Sequence, residues 1–99
     1  MKIDLVKFGK TLTSRDSGQE AYKAVQPQLA RLKDNEQLEL DFAEVNTFTP
    51  SWGDEFITNL HQRYGDRLIL VNTDNPSVKA TLELLAEIRK IDFINKSPQ

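Results

Sequence analysis

The sequence predicts an α/β fold: a mixed, largely parallel sheet of four to five strands with three main helices, in the order β-β-α-β-α-β-α. Three observations point there. Strand-like and helix-like patterns alternate along most of the chain. Leu68-Ile69-Leu70-Val71 is apolar without interruption over one strand length, as in a strand buried on both faces at the centre of a sheet. Residues 2–13 read as two short strands joined at Gly9-Lys10, a hairpin that would make the sheet mixed.

Each element has its own signal. Ile3 and Leu5 alternate with polar neighbours before the pattern slips by one at Phe8, which predicts a first strand over Lys2 to Phe8. Thr11-Leu12-Thr13 is β-prone and would pair back on it. Ser17 with Glu20 three residues later is a capping-box pattern, so the first helix should start there. Its apolar positions are Ala21, Tyr22, Val25, Leu29 and Leu32. Pro27 sits inside that pattern and lacks a backbone donor, which predicts a kink near Lys23 before the helix ends near Lys33. Leu38, Leu40 and Phe42 alternate with Glu39 and Asp41, a strand with one polar face. In the connection that follows, Val45 and Phe48 should point inward.

The second helix has two candidate starts. Thr49 can cap with Pro50 at the first helical position, or Ser51 can cap with Asp54 as a weaker box partner. Trp52, Phe56, Leu60 and Tyr64 follow at steps of four with Ile57 beside them, and Gly65 stops the helix. After the central strand, Asn75 can cap a third helix with Pro76 in its first turn; Val78, Leu82, Leu85 and either Ala86 or Ile88 form its stripe. Ile91, Phe93 and Ile94 add a short closing strand or pack as a tail, and residues from about Asn95 to Gln99 should fray. Crossovers should be right-handed. Three amphipathic helices would pack one sheet face and leave the other partly open.

Composition excludes several function classes. Ninety-nine residues, 38% hydrophobic and 28% charged, suit one soluble globular domain spanning 1–99. No apolar run approaches the ~20 residues of a membrane span, and MKIDLVKFGK is too charged for a secretory signal. A cytoplasmic protein without membrane attachment is expected. The chain has no Cys and one His, which removes disulfides, thiol nucleophiles and multi-His or thiolate metal sites. Neither a cofactor nor a metal is expected. The net charge of −2 disfavours a general nucleic-acid binder. Charge is uneven: residues 1–33 carry +4 and residues 34–99 carry −6, and the stretch from Asp34 to Glu55 has seven acids and no Lys or Arg. The halves either fold against each other with solvated charges, or present a polar face to a complementary partner.

An enzyme is not expected on inventory. His61 is the one imidazole available to a nucleophile triad, and no strained G-x-S-x-G turn accompanies it; it reads as a structural histidine. The carboxylate pairs Asp54–Glu55 and Glu39–Asp41 read as water-facing, since adjacent helix positions do not face each other. Gly9, Gly18, Gly53 and Gly65 are scattered and make no phosphate loop. Trp52 starts a helical stripe and reads as core, with an exposed interface anchor as the alternative. The informative segment is LELDFAEVNTFTPSWGDEFITNL, Leu38 to Leu60. There a strand ends in a hydroxyl-rich turn and a helix N-terminus follows, whose free amides favour an anion. A hydroxyl at that place is a helix cap, or a phosphoacceptor served by the same donors.

These segments carry a resemblance. LELDFAEV, then NTFTPSWGDEF, then RLILVN with NPSVKATLELL is similar to a bacterial STAS-like family of unknown function, whose members have a DF-x-x-V strand, a T-x-S-aromatic turn and a D-E-aromatic helix start. SRDSGQEA, Ser14 to Ala21, resembles its S-R-x-x-G segment. The likeness runs from about Lys10 to Leu85. It implies a STAS-like fold, related to the superfamily of anti-sigma-factor antagonists, which bind an ATP-dependent anti-sigma kinase and are switched by phosphorylation at the start of the second helix. The resemblance thus implies a phosphoacceptor at Ser51 or, second, Thr49. The antagonist pattern is D-S/T-S/T-G, whereas this chain has Thr49-Pro50-Ser51-Trp52.

The expected function is a non-catalytic interaction module that switches partners. The partner is a protein, in the antagonist-like case an ATP-binding regulatory kinase, and it would meet Trp52, Asp54, Glu55 and Phe56. A phosphate on Ser51 would repel Asp54 and Glu55, or be stabilised by Arg15 if that residue folds nearby. The alternatives are a small-ligand or nucleotide sensor lined by Thr47, Thr49, Ser51, Asn72, Thr73 and Asn75, and a homo-oligomeric subunit, such as a homodimer, using an exposed strand edge.

Overall fold

The computed structural model describes residues 1–96. It is an α/β structure with a parallel sheet and four helices. The strands are β1 (Lys2–Asp4), β2 (Thr11–Leu12), β3 (Leu38–Asp41), β4 (Thr47–Phe48), β5 (Leu68–Val71) and β6 (Ile94–Lys96). The helices are α1 (Arg15–Ala24), α2 (Gln26–Leu29), α3 (residues 50–64) and α4 (Pro76–Arg89); in α3 a π-wound turn, Asp54–Thr58, separates Pro50–Gly53 from Asn59–Tyr64.

Among the described residues every strand pair is parallel. One sheet runs β1-β3-β5-β6, and β2 pairs with β4 apart from it. The expected opening hairpin and mixed sheet are therefore corrected. The first strand stops at Asp4, and Leu5–Phe8 is a 3₁₀ turn. Leu5 and Phe8 stand three apart, the 3₁₀ repeat, so the slip in alternation is a change of period: Leu5 is fully buried and Phe8 packs on the core. Thr11 and Leu12 find their partners at Thr47 and Phe48.

The first helix also differs. Its cap is Ser14, whose hydroxyl accepts from Ser17 N at 3.0 Å, in place of the expected Ser17–Glu20 box. The chain breaks at Val25 instead of bending near Lys23, and α2 ends at Leu29 rather than near Lys33. Pro27 is the cause, since it has no N–H to continue the ladder. Gln26 spans the break by donating its side-chain amide to Tyr22 O at 2.8 Å.

Later elements lie where their signals place them. Gly65, at φ 56, ends α3. Asn75 caps α4 by accepting from Ser77 N (2.8 Å) and Val78 N (3.2 Å), with Pro76 in the first turn. β5 is paired on both sides. Ile94, Asn95 and Lys96 form β6, which corrects the fraying expected at Asn95 and Lys96; the rest of that expectation, Ser97, Pro98 and Gln99, lies outside the described residues.

The register divides the sheet into two faces. Ile3, Leu40 and Leu70 stand in one row, with Leu38 beside Leu68 two positions back. This face is buried under the helices, with no residue above 2% exposure. The other rows, Lys2-Glu39-Ile69-Ile94 and Asp4-Asp41-Val71-Lys96, form an outer face edged by charge. There Lys2 pairs with Asp41 at 3.1 Å, and Lys96 reaches across β5 to Glu39 at 4.0 Å. The polar positions of β3 thus mark the partly open face.

Candidate functional site

The bend between β4 and α3 is held from two sides. Thr49 N donates to Leu12 O at 3.1 Å and the Thr49 hydroxyl donates to Thr13 O at 2.7 Å, tying the bend to β2. From α4, the Ser77 and Thr81 hydroxyls donate to Phe48 O at 3.2 and 2.6 Å, while Ser77 Oγ accepts from Phe48 N at 3.0 Å. Thr49 occupies the cap position with Pro50 after it, yet its hydroxyl serves Thr13 and caps no amide. Ser51 lies within the first turn and is not a cap.

A surface groove of about 200 Å³ opens beside this turn, lined by Arg15, Pro50, Ser51, Asp54, Leu85, Ile88 and Arg89. Ser51 is half-buried, and its hydroxyl has no hydrogen-bond partner among the described residues. The amides of Ser51 and Trp52 belong to the first helical turn and have no helical acceptor. The bend is thus at the surface with a contact patch next to it.

Asp54 is the hub of the charge here. Arg89 grips it with both arms of its guanidinium, Nε to Oδ1 at 2.9 Å and Nη2 to Oδ2 at 2.6 Å, the bidentate form that adds geometric specificity. Arg15 approaches Asp54 at 3.8 Å and donates to Glu55. The Arg89 fork holds the Asp54 carboxyl below the usual carboxylate range against the opposing effect of burial, with Arg15 adding to it. Asp54 in turn raises Arg89. Arg15, unplaced by the sequence, is thereby brought to the turn by the start of α1.

Two expected contact residues are corrected. Trp52 and Phe56 have 0% exposure, so neither can be a surface anchor. They stack on each other at 4.9 Å between ring centres and on Phe8 and Phe48 at 5.7–6.1 Å. The reason is their spacing of four on the face of α3 that turns inward. Exposed apolar surface stands instead on α4, at Leu84 (41%) and Ile88 (57%), of which Ile88 lines the groove. The sequence pattern left Leu84 and Arg89 unassigned and offered Ile88 for the buried stripe of α4, whereas the structure leaves Ile88 exposed. A signal for Leu84 was present: it lies off the Val78-Leu82-Leu85 stripe, and an apolar residue outside the buried stripe invites a second partner.

Neither groove gathers the residues expected to line a small-ligand site. Ser51 lines the groove just described, and Thr73 alone of that set borders a larger groove along α4. Asn75 is spent as a cap. Asn72, at φ 56, donates to Asp41 Oδ1 at 2.8 Å. Burial pushes the Asp41 carboxyl up, but hydrogen bonds from Asn72, the Ala43 amide and Lys2 outweigh it and leave it below its usual value. His61 sits edge-on to Phe93 at 5.8 Å. Among the described residues no cluster of His, Asp or Glu could hold a metal, and no helix is long and apolar enough to cross a membrane.

Comparison with known proteins agrees with this frame. Neither the curated proteins nor the solved structures contain a match. A sequence model of the STAS-like domain of unknown function matches residues 17–78, which run from the first turns of α1 through the Ser51 turn to the start of α4. That is more than half of the chain, and it spans the β4–α3 bend and the central strand, so the chain belongs to the family of STAS-like domains of unknown function.

Proposed function

We propose that this chain is a non-catalytic regulatory module that docks a protein partner on the groove face, with Ser51 as the switching position and an ATP-binding regulatory kinase as the partner. The observation that carries this is one groove that joins a free serine hydroxyl, two arginines and an exposed apolar residue, Ile88. Leu84 and Ile88 supply the apolar contact once assigned to Trp52 and Phe56, while Asp54 and Glu55 keep their place on the contact face. Thr49 is the weaker phosphoacceptor because its hydroxyl is engaged with Thr13.

The switch follows from charge. Arg15 and Arg89 balance Asp54 and Glu55 in the unmodified protein. A phosphate on Ser51 adds about −1.5 to −2 and three acceptors. It competes for both arginines, so the carboxylates lose their partners and the face becomes net negative beside the apolar patch. A partner that buries Ile88 would then have to desolvate unpaired charge.

The test uses immobilised wild-type protein, Ser51→Ala, Ser51→Asp and Ile88→Glu with lysate of the source cells and ATP. Mass spectrometry reads phosphate on Ser51 and the proteins retained. Before ATP is added, wild type and Ser51→Ala should retain an ATP-binding protein that Ser51→Asp and Ile88→Glu lose; with ATP, wild type should gain phosphate on Ser51 and release that protein while Ser51→Ala holds it. Equal retention by all four variants would sink the reading.

A further inference from the structure

A second groove lies on the other flank of α4 from Ser51. Its volume is about 420 Å³. One wall is a single face of α4: Lys79, Leu82, Glu83 and Ala86, at the i, i+3, i+4, i+7 spacing of one helix side. The other wall is the run Ile91 to Phe93 with Asn95 of β6, and Thr73 and Asp74 close one end. Leu82 is buried and Ala86, Ile91 and Phe93 are half-buried, so the floor is apolar.

Two further features converge on the groove. β6 is the last strand of its sheet: it bonds to β5 on one side, and among the described residues no strand pairs with its other edge. The rim is acidic, with Asp74, Glu83 and Asp92 against Lys79. None of these four has an ion-pair partner among the described residues, unlike Asp41, Asp54 and Glu55 elsewhere.

We infer that this groove receives an extended segment of a partner protein, which adds to β6 as a strand, sets an apolar side chain on Leu82, Ala86 and Phe93, and places Lys or Arg side chains against Asp74, Glu83 and Asp92. An open strand edge supplies main-chain donors and acceptors, and the flanking wall reads alternate side chains. The net negative rim selects a basic segment and repels an acidic one. A free anion or nucleotide does not fit such a rim. The groove is separate from the Ser51 face, so the two surfaces can be occupied at once, with α4 shared between them.

The probe is a fluorescein-labelled peptide of alternating Val and Lys, with its Val and Glu counterpart as control. Fluorescence anisotropy reads affinity, and ¹⁵N amide shifts read position. The Val–Lys peptide should bind saturably and shift the amides of Ile94 to Lys96 and of the α4 wall, while the Val–Glu peptide should not bind. The double variant Glu83→Lys, Asp92→Lys should weaken binding about tenfold or more, and Glu87→Lys, an exposed α4 residue off this groove, should leave it within about twofold. All three positions are solvent-exposed, and circular dichroism checks that each variant folds. Equal loss with Glu87→Lys overturns the inference in favour of bulk charge attraction. Unchanged affinity of a backbone N-methylated peptide overturns the strand addition. Protection of the β6 amides that rises with protein concentration, without peptide, overturns it in favour of a second copy as occupant. None of these outcomes depends on Ser51 phosphorylation.

Discussion

At the scale of single residues, two glycines set how closely the helices approach, and they should answer differently to the same substitution. A Cβ on Gly18 would stand 2.7 Å from Trp52 O and 3.1 Å from Trp52 Cα. Those are backbone atoms of α3 and cannot step aside alone. A Cβ on Gly53 would meet Leu85 Cδ1 at 2.9 Å and Phe48 Cζ at 3.0 Å, both in side chains. Overpacking costs about 1–3 kcal/mol. Gly18→Ala should fall at the upper end and Gly53→Ala at the lower, as read from urea midpoints; the reverse order would show that α1 is free to shift. The Asp54 carboxyl gives the second residue-scale prediction. Its folded value lies below the ordinary 3.8. Its ionised form therefore stabilises the fold fully above about pH 4, and that contribution is lost as pH falls through the lowered value. The stability gap between wild type and Asp54→Asn should be flat from pH 7 to about 5 and should narrow progressively as pH falls through 3.8 and below, followed by urea unfolding at each pH. A gap that widens in acid would refute the Arg89 fork as its source.

At the scale of elements, β2 and β4 are two residues each and, among the described residues, pair only with one another. Their position depends on hydroxyls from α4. The Phe48 carbonyl accepts from Thr81, which is 5% exposed. Thr81→Val keeps the shape and removes the short bond. It should cost about 1 kcal/mol, a fall of about 4–8 °C in Tm for a domain of this size by calorimetry. No fall would mean that Ser77 alone anchors the bend. The same scale explains which elements were readable. The Asn75-Pro76 cap, the Gly65 stop and the apolar β5 run are local signals, complete within a few residues. The start of α1 was misplaced because Ser14 and Ser17 both present a hydroxyl three residues before a usable amide. The chain takes Ser14, which sets Gly18 one turn into α1 and against Trp52. The hairpin was misread because Thr11 and Leu12 meet residues 36 positions away, and nothing near them in sequence says so.

At the scale of the molecule, the sheet follows chain order, β1-β3-β5-β6, with the helices on one face and ion pairs on the other. Stability should be graded accordingly, since open edges unfold locally before paired centres. In native-state hydrogen exchange, amides of β3 and β5 should be the slowest, with those of β6 and the β2–β4 pair the first to exchange. Protection at Ile94 to Lys96 equal to that at Leu68 to Val71 would contradict an open β6 edge. The same one-sided architecture gives α4 its two exposed flanks, one beside Ser51 and one beside β6.

The order of amino acids was enough to establish an α/β fold, its central strand, the Asn75-Pro76 cap, the inward set from Val45 to Leu60, and the hydroxyl turn at Thr49 to Ser51. All of these are periodicities or short-range hydrogen-bonding habits, in which a residue's neighbours in the chain are also its neighbours in space. Parallel pairing throughout, the recruitment of Arg15 and Arg89 to Asp54 and the outward turn of Ile88 came only with the folded chain. Each depends on which helix face meets which strand across 35 residues or more of sequence, and that choice belongs to the packing of the whole core.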